Sequence, residues 1–212
     1  MTAIIQVDIL KDAPGYRECL SGRDRSAVLD FSADSLWSIR AVASFGGTLP
    51  ALGAGGWLRL ETEPGEVVFV LRTSDGSFWL QTKAFYPPGV YRLPTGGLKE
   101  RESPEEGYAR ELAEETGISP APAPSRIARI GYRNDGVEAR FVSYLCGVDH
   151  VDGAPEPADS GERISGWRKV TPDGLVDAAD VLRTLAPDWR SWGEFRAVAH
   201  DVLVEALKHS GG

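Results

Sequence analysis

The chain of 212 residues is 42% hydrophobic and 25% charged, the composition of one large globular domain or of a domain with an appendage. Its net charge of −8 argues against binding nucleic-acid duplexes, DNA included, because that relies on lysine and arginine to neutralise phosphates; a small anionic ligand held through a metal stays open. No apolar run reaches the ~20 residues a membrane helix needs, and the start MTAIIQVDILKDAPG lacks a basic segment followed by a long apolar one, so a cytoplasmic location is expected and membrane contact is not.

In chain order, residues 3–10, AIIQVDIL, read as a strand, and residues 11–26 are polar and turn-rich. Leu36, Trp37, Ile39, Arg40 and Ala43 fit a short amphipathic helix starting near Asp34. Residues 46–56, GGTLPALGAGG, hold too much glycine and proline for regular structure. Residues 1–56 therefore read as an N-terminal extension without an assignable motif. Packing on the core, shaping a pocket and mediating a homodimer all stay open for it. Cys19 and Cys146 are expected to be free thiols in a reducing compartment.

Residues 66–72 and 77–83 form a hairpin, rich in β-branched and aromatic residues, about the turn Ser74-Asp75-Gly76. A loop over 85–89 with two prolines leads to a short strand over 90–93. A helix over 104–116 follows, and then Pro120, Pro122 and Pro124 impose an extended crossing. Residues 126–133 and 137–148 form a second hairpin about Asn134-Asp135-Gly136. Residues 149–161 are a long acidic loop, and 164–170, with Trp167, a strand. Residues 57–170 make the main domain, and two helices over 171–212 complete it. Thr171-Pro172 opens the first of these, to about Leu185. Asp188 or Ser191 caps the second, with Ser191 and Glu194 at capping-box spacing; Trp192, Phe195, Val198, Ala199, Val202, Leu203 and Leu207 make its apolar stripe. His200 and His209 read as surface or helix-end residues, and with three histidines in the chain a histidine metal site is not expected.

Residues 96–118, GGLKERESPEEGYARELAEETGI, carry the densest signal. Ser103 is a good N-cap, Glu106 stands three residues on, and Pro104 falls where its missing N–H costs nothing. Gly117 suits the left-handed residue that ends a helix, and Ile118 can pack back on the last turn. Tyr108 and Leu112 make a buried stripe. Glu111, Glu114 and Glu115, at i, i+3 and i+4, share a neighbouring face. That face opposes the helix dipole, which disfavours anions in the last turn by about 0.3–1 kcal/mol each. Arg110 can offset part of this by pairing with Glu114 or with Glu102. A hard dication bound by oxygen ligands would remove the rest.

Gly96, Glu102, Arg110-Glu111-Leu112, Glu114-Glu115 and Gly117-Ile118 together resemble the signature of the Nudix hydrolases at every specified position. Gly107 is one soft departure, since the family usually has alanine or another small residue there; close approach of a neighbouring strand is the expected reason. The resemblance implies an α/β (α+β) fold, a mixed β-sheet sandwiched between α-helices. It also implies hydrolysis of a phosphoanhydride in a nucleoside diphosphate linked to another group, with Mg²⁺ or Mn²⁺. On the same ground Glu111, Glu114 and Glu115 are metal ligands, and the Gly96 carbonyl can add an oxygen. Glu114 also counts among the catalytic groups. Glu102 orients Arg110, with a ligand role open. A further carboxylate is expected from the loop after the second hairpin, as ligand or general base. Among Glu156, Asp159 and Glu162, the choice falls on Glu162, shortly ahead of Trp167. Arg72 and Arg92 are candidates for phosphate contacts, and Tyr132, Tyr86 and Trp37 for stacking on a base. The proline that the ADP-ribose subgroup carries downstream would fall near Tyr132-Arg133, and none is there. A nucleoside triphosphate or a nucleotide sugar is the expected substrate. The alternative is a non-catalytic nucleotide sensor of the same fold.

Overall fold

Residues 4–9, 39–45, 63–119, 121–134 and 137–210 are described in the computed structural model of the protein. They form β1 (Ile4–Ile9), β2 (Ile39–Phe45), β3 (Gly65–Arg72), β4 (Phe78–Lys83), β5 (Thr95–Gly97), α1 (Pro104–Thr116), β6 (Ser125–Asn134), β7 (Val137–Asp149), a 3₁₀ turn at Ser160–Glu162, β8 (Ile164–Val170), α2 (Pro172–Arg183) and α3 (Pro187–Ser210). The strands make one mixed sheet in the order β1-β2-β6-β7-β3-β4-β8, with β5 paired on β3.

The strand that organises the site is β3, an interior strand of the sheet. It runs parallel to β7 over its whole length, and its other edge is divided. β5 pairs with its first half, setting Gly96 opposite Val67, whereas β4 meets it only at Arg72 and Phe78. Gly65 to Leu71 are all buried, as a strand covered on both faces must be. The period of two then sorts the side chains. Val67, Phe69 and Leu71 join Tyr108 and Leu112 of α1 in one apolar layer. Val68 and Val70 join Phe195, Val198, Val202 and Leu203 of α3 in the other. The sheet is thus sandwiched, α1 on one face and α3 on the other. Among the described residues no helix is long and apolar enough to cross a membrane.

Local signals hold where they are strong. The turn about residues 74–76, the two strands it joins and the helix Pro104–Thr116 form as expected, although the strands pair with each other only at Arg72 and Phe78. α1 has the full capping box: Ser103 Oγ accepts from Glu106 N–H, the Glu106 carboxylate accepts from Ser103 N–H, and Gly117 closes the helix at φ 74°. The second hairpin forms too, though residues 135 and 136 of its turn lie outside the described residues. Cys146 is a buried free thiol, and Cys19 lies outside the described residues.

Four expectations are corrected. The helix read near Asp34 is not one over Ile39–Phe45, which is strand β2; Leu36 and Trp37 lie outside the described residues. Ile39, Ala41, Ala43 and Phe45 are buried in strict alternation, and β2 runs parallel to β6. The strand read over 90–93 reduces to a single bridge between Gln81 and Arg92. The last helix starts at Pro187, so Asp188 stands in its first turn and Ser191 inside it, and neither caps it. His200 is fully buried rather than exposed; its Nε2 accepts the Leu93 N–H at 3.1 Å. The loop read over 46–56 lies outside the described residues.

Candidate metal centre

Arg110 and Glu111 sit side by side on α1, and the arginine is the hub of the site. Its Nε and Nη2 donate to Glu102 Oε1 and Oε2, both at 2.7 Å. Nη1 donates to Glu111 Oε1 at 2.5 Å and to Glu114 Oε2 at 2.9 Å, and Nη2 also donates to the Gly97 carbonyl at 3.0 Å. One planar fork thereby ties the loop before α1, two carboxylates of α1 and strand β5 together. The Arg110 bonds hold the Glu102 carboxyl below its ordinary range. Glu111 goes the other way, because burial raises it more than Arg110 lowers it.

Gly96 is what lets α1 come so close. A Cβ there would stand 2.2 Å from Glu111 Cγ and 2.3 Å from its Cβ. At Gly107 a Cβ would meet Leu98 Cδ2, just beyond β5, at 2.2 Å, so any larger residue would require the end of that side chain to move.

The third carboxylate comes from the loop after β7. That loop docks on the C-terminal end of α1. The N–H groups of Ala158 and Asp159 donate to the Glu114 carbonyl at 3.1 and 3.2 Å, and that of Glu156 to the Thr116 carbonyl at 3.2 Å. The carbonyls that end a helix need partners from outside it, and the loop supplies them. The 3₁₀ turn then carries Glu162 inward. Arg163 takes a left-handed φ of 56° and its carbonyl accepts the Ala84 N–H at 2.9 Å, which pins the turn to β4.

The result is a cluster in which carboxylate oxygens of Glu111, Glu115 and Glu162 lie within 4.8 Å of one another. Glu111 and Glu115 are buried. Burial pushes Glu115 up to about 7, against the pull of Arg92 and Lys83. Burial acts most strongly on Glu162 and raises it, but the hydrogen bonds from Lys83 and Glu115 and the charges of Lys83 and Arg92 together outweigh burial and leave this carboxyl below its ordinary range.

Two residues that the motif does not specify complete the arrangement. Gln81 Nε2 donates to Glu115 Oε2 at 2.6 Å. Lys83 Nζ donates to Glu115 Oε1 at 3.0 Å and to Glu162 Oε2 at 2.6 Å. Both stand on β4 two residues apart, with Trp79 two residues earlier packed in the α1 layer, so all three face α1. The available signal in the sequence was the switch within one strand from apolar Phe78-Trp79-Leu80 to polar Gln81-Thr82-Lys83.

Of the residues singled out from the sequence, the structure brings Glu102, Arg110, Glu111, Glu115 and Glu162 together, beside Gly96. Glu114 is not in the cluster; its side chain is 36% exposed and pairs with Arg110. Arg72 is elsewhere. The strand alternation turns it to the α3 face, where Nε donates to Asp149 at 2.7 Å. Tyr132 is 2% exposed and lies in the core against Phe45, Phe141 and Phe195, its hydroxyl 2.8 Å from Ser143 Oγ. Arg92 donates to Tyr86 Oη, the Leu93 carbonyl and Thr95 Oγ1, and acts on Glu115 and Glu162 only through its charge. Tyr86 packs against Trp189 and Trp192.

The donor set is all carboxylate oxygen, hard and anionic, with neither imidazole nor thiolate in the cluster. That fits Mg²⁺ or Mn²⁺ and not a soft or borderline metal.

A mixed sheet between helices, with an acidic cluster where one helix end meets a docked loop, defines an α/β sandwich with a carboxylate site at its helix end. Residues 63–191 match the family model for the NUDIX domain, which is more than half of the chain, and the protein belongs to the Nudix family. No curated protein matches the sequence. Among solved structures the chain is similar to a MutT protein from Methanosarcina mazei Go1, at 19% identity and TM-score 0.42 over 66% of this chain and 97% of that one. It is similar to the NUDIX domain of Shewanella oneidensis NrtR, solved with ADP ribose, at 23% identity and TM-score 0.44 over 70% and 88%. A NUDIX hydrolase from Listeria monocytogenes matches at 16% identity and TM-score 0.46 over 69% and 96%.

Proposed function

We propose that the protein is a metal-dependent hydrolase that cleaves a phosphoanhydride bond in a small nucleoside diphosphate derivative, a nucleoside triphosphate or a nucleotide sugar. The observation that carries this reading is the convergence of Glu111, Glu115 and Glu162. Two of them come from the signature helix and the third from a loop some fifty residues on, beyond any local reason to meet. Three carboxylates packed this closely repel one another, and burial raises Glu111 and Glu115 above their ordinary range, a conflict that a bound dication would relieve.

Glu111, Glu115 and Glu162 would hold Mg²⁺ or Mn²⁺. The ion supplies charge neutralisation at phosphate oxygens and a bound water of lowered pKa. The chain's own residues supply the rest. Arg110 holds Glu111 and Glu102 through charge-assisted hydrogen bonds, so the ligand set does not have to order itself when substrate arrives. Gln81 orients Glu115 through Oε2. Glu114, paired with Arg110 and partly exposed, can accept a hydrogen bond from incoming water or substrate. Arg92, buried and internally bonded, adds positive potential beneath the cluster. With a net charge of −8, the rest of the surface repels long polyanions, which favours a small nucleotide over RNA.

The test is a substrate panel with Mg²⁺ covering nucleoside triphosphates, nucleotide sugars, dinucleoside polyphosphates, coenzyme A and 5′-triphosphate RNA, reading release of phosphate or nucleoside monophosphate. Turnover of a triphosphate or nucleotide sugar, abolished by chelator, is the expected result. A kcat/KM for the RNA above that of every small molecule overturns the substrate class. Binding of metal and nucleotide with no turnover of anything moves the protein to the sensor role.

A further inference from the structure

We infer that Lys83 is a built-in cation of the metal centre, which holds the carboxylates together before the divalent ion arrives and competes with that ion for them. The inference rests on the metal site proposed above and goes beyond it, because the Nudix signature does not reach β4.

The geometry is specific. Lys83 Nζ spans Glu115 Oε1 at 3.0 Å and Glu162 Oε2 at 2.6 Å, two of the three members of the cluster. The other Glu115 oxygen is engaged by Gln81. Both oxygens of Glu115 are thus held from β4, one by a charged donor and one by a neutral donor. The lysine side chain is 11% exposed and that of Glu115 1%, so solvent screens the pair weakly.

Both Glu115 oxygens are already engaged from β4, so a dication bound by Glu115 and Glu162 must contend with the ammonium that bridges the same two carboxylates. If both cations stayed, two like charges would sit within a few ångströms of each other in a buried site. The ammonium therefore has to leave, and its flexible four-carbon stem makes that movement feasible. Part of the metal's binding free energy is used in displacing it. Gln81 has the opposite effect: it orients Glu115 without adding charge, so it helps the metal.

The two β4 residues therefore predict changes of opposite sign. Mn²⁺ binding, followed by the loss of the free-ion EPR signal at about pH 8, is compared in the wild type, Lys83→Met and Gln81→Leu. Lys83→Met keeps the length of the stem and removes the charge. It is expected to bind Mn²⁺ at least about tenfold more tightly, whereas Gln81→Leu binds it about 10–100-fold more weakly. A merely structural role for Lys83 would loosen the site on replacement, not tighten it. Lys83→Gln serves as a second neutral variant should Lys83→Met fold poorly, and Lys83→Arg, which keeps the charge, stays weak. Wild-type protein that binds no Mn²⁺ removes the metal site itself. Wild-type protein that binds Mn²⁺, with neutral Lys83 variants no tighter than it, overturns the role given to Lys83 and leaves the site standing.

Discussion

The Arg110 guanidinium grips Glu102 with two parallel bonds, Nε to Oε1 and Nη2 to Oε2, each 2.7 Å long. Its remaining donors reach Glu111, Glu114 and the Gly97 carbonyl. Only a planar fork serves all of these at once. Arg110→Lys is therefore expected to lose 10–100-fold in metal affinity or turnover, on the scale typical for residues that orient metal ligands, and to do little better than Arg110→Ala. Wild-type kcat and metal affinity in either variant would remove the bracing role.

Gly96 and Glu111 make a second dependence of the site on the fold. A Cβ at residue 96 would overlap the Glu111 side chain near its root, at Cβ and Cγ, where it cannot swing away cheaply. Gly96→Ala is expected to cost about 1–3 kcal/mol by overpacking and to displace Glu111, so that activity falls further than stability does. Chemical denaturation and initial rates on the same preparation check both. An unchanged variant would mean that α1 does not approach β5 this closely.

His200 gives the protein a pH dependence of stability. Burial, with Arg92 and Arg183 adding to it, lowers the imidazole from 6.5 to about 3. Between those values the unfolded chain binds a proton that the folded protein does not, so stability from this group is complete above about pH 6.5 and declines as pH falls. The slope reaches about 1.4 kcal/mol per pH unit, or about 2 kcal/mol by pH 5. Glu115, raised from 4.5 to about 7, acts oppositely over its own window and favours the folded state at lower pH. Comparing wild type with His200→Gln isolates the histidine. The variant should lose less stability between pH 6.5 and 5, read by urea denaturation at each pH. Parallel profiles would show that His200 titrates normally in the folded protein.

What could be read in advance follows from how local each determinant is. α1 was legible to the residue, because Ser103, Pro104, Glu106 and Gly117 fix its ends through contacts within one turn. The 74–76 turn was legible for the same reason. β2 was not. Ile39, Arg40 and Ala43 suit a helix face as well as a strand, and what decides is pairing with β6, some ninety residues away. His200 was hidden by its own helix, where Ser191, Glu194 and His200 are buried among the apolar side chains they interrupt. In the site, Glu111 and Glu115 came from the signature. Gln81 and Lys83 did not, since strand residues show their partners only after β4 is set beside α1. Arg72 misled because its position in the chain says nothing of which sheet face it takes.

The central claim is that the carboxylate cluster is a metal centre that drives hydrolysis, and Glu115→Gln tests it most directly. Glu115 is 1% exposed and bonded from β4, and glutamine matches its shape while removing its charge. The measurement is kcat on the best substrate of the panel at saturating Mg²⁺, with circular dichroism showing a retained fold. A loss of at least about a hundredfold, with the wild-type rate itself abolished by excess chelator, is the predicted result. A folded Glu115→Gln protein that turns over at the wild-type rate, or wild-type activity that survives the chelator, would contradict it.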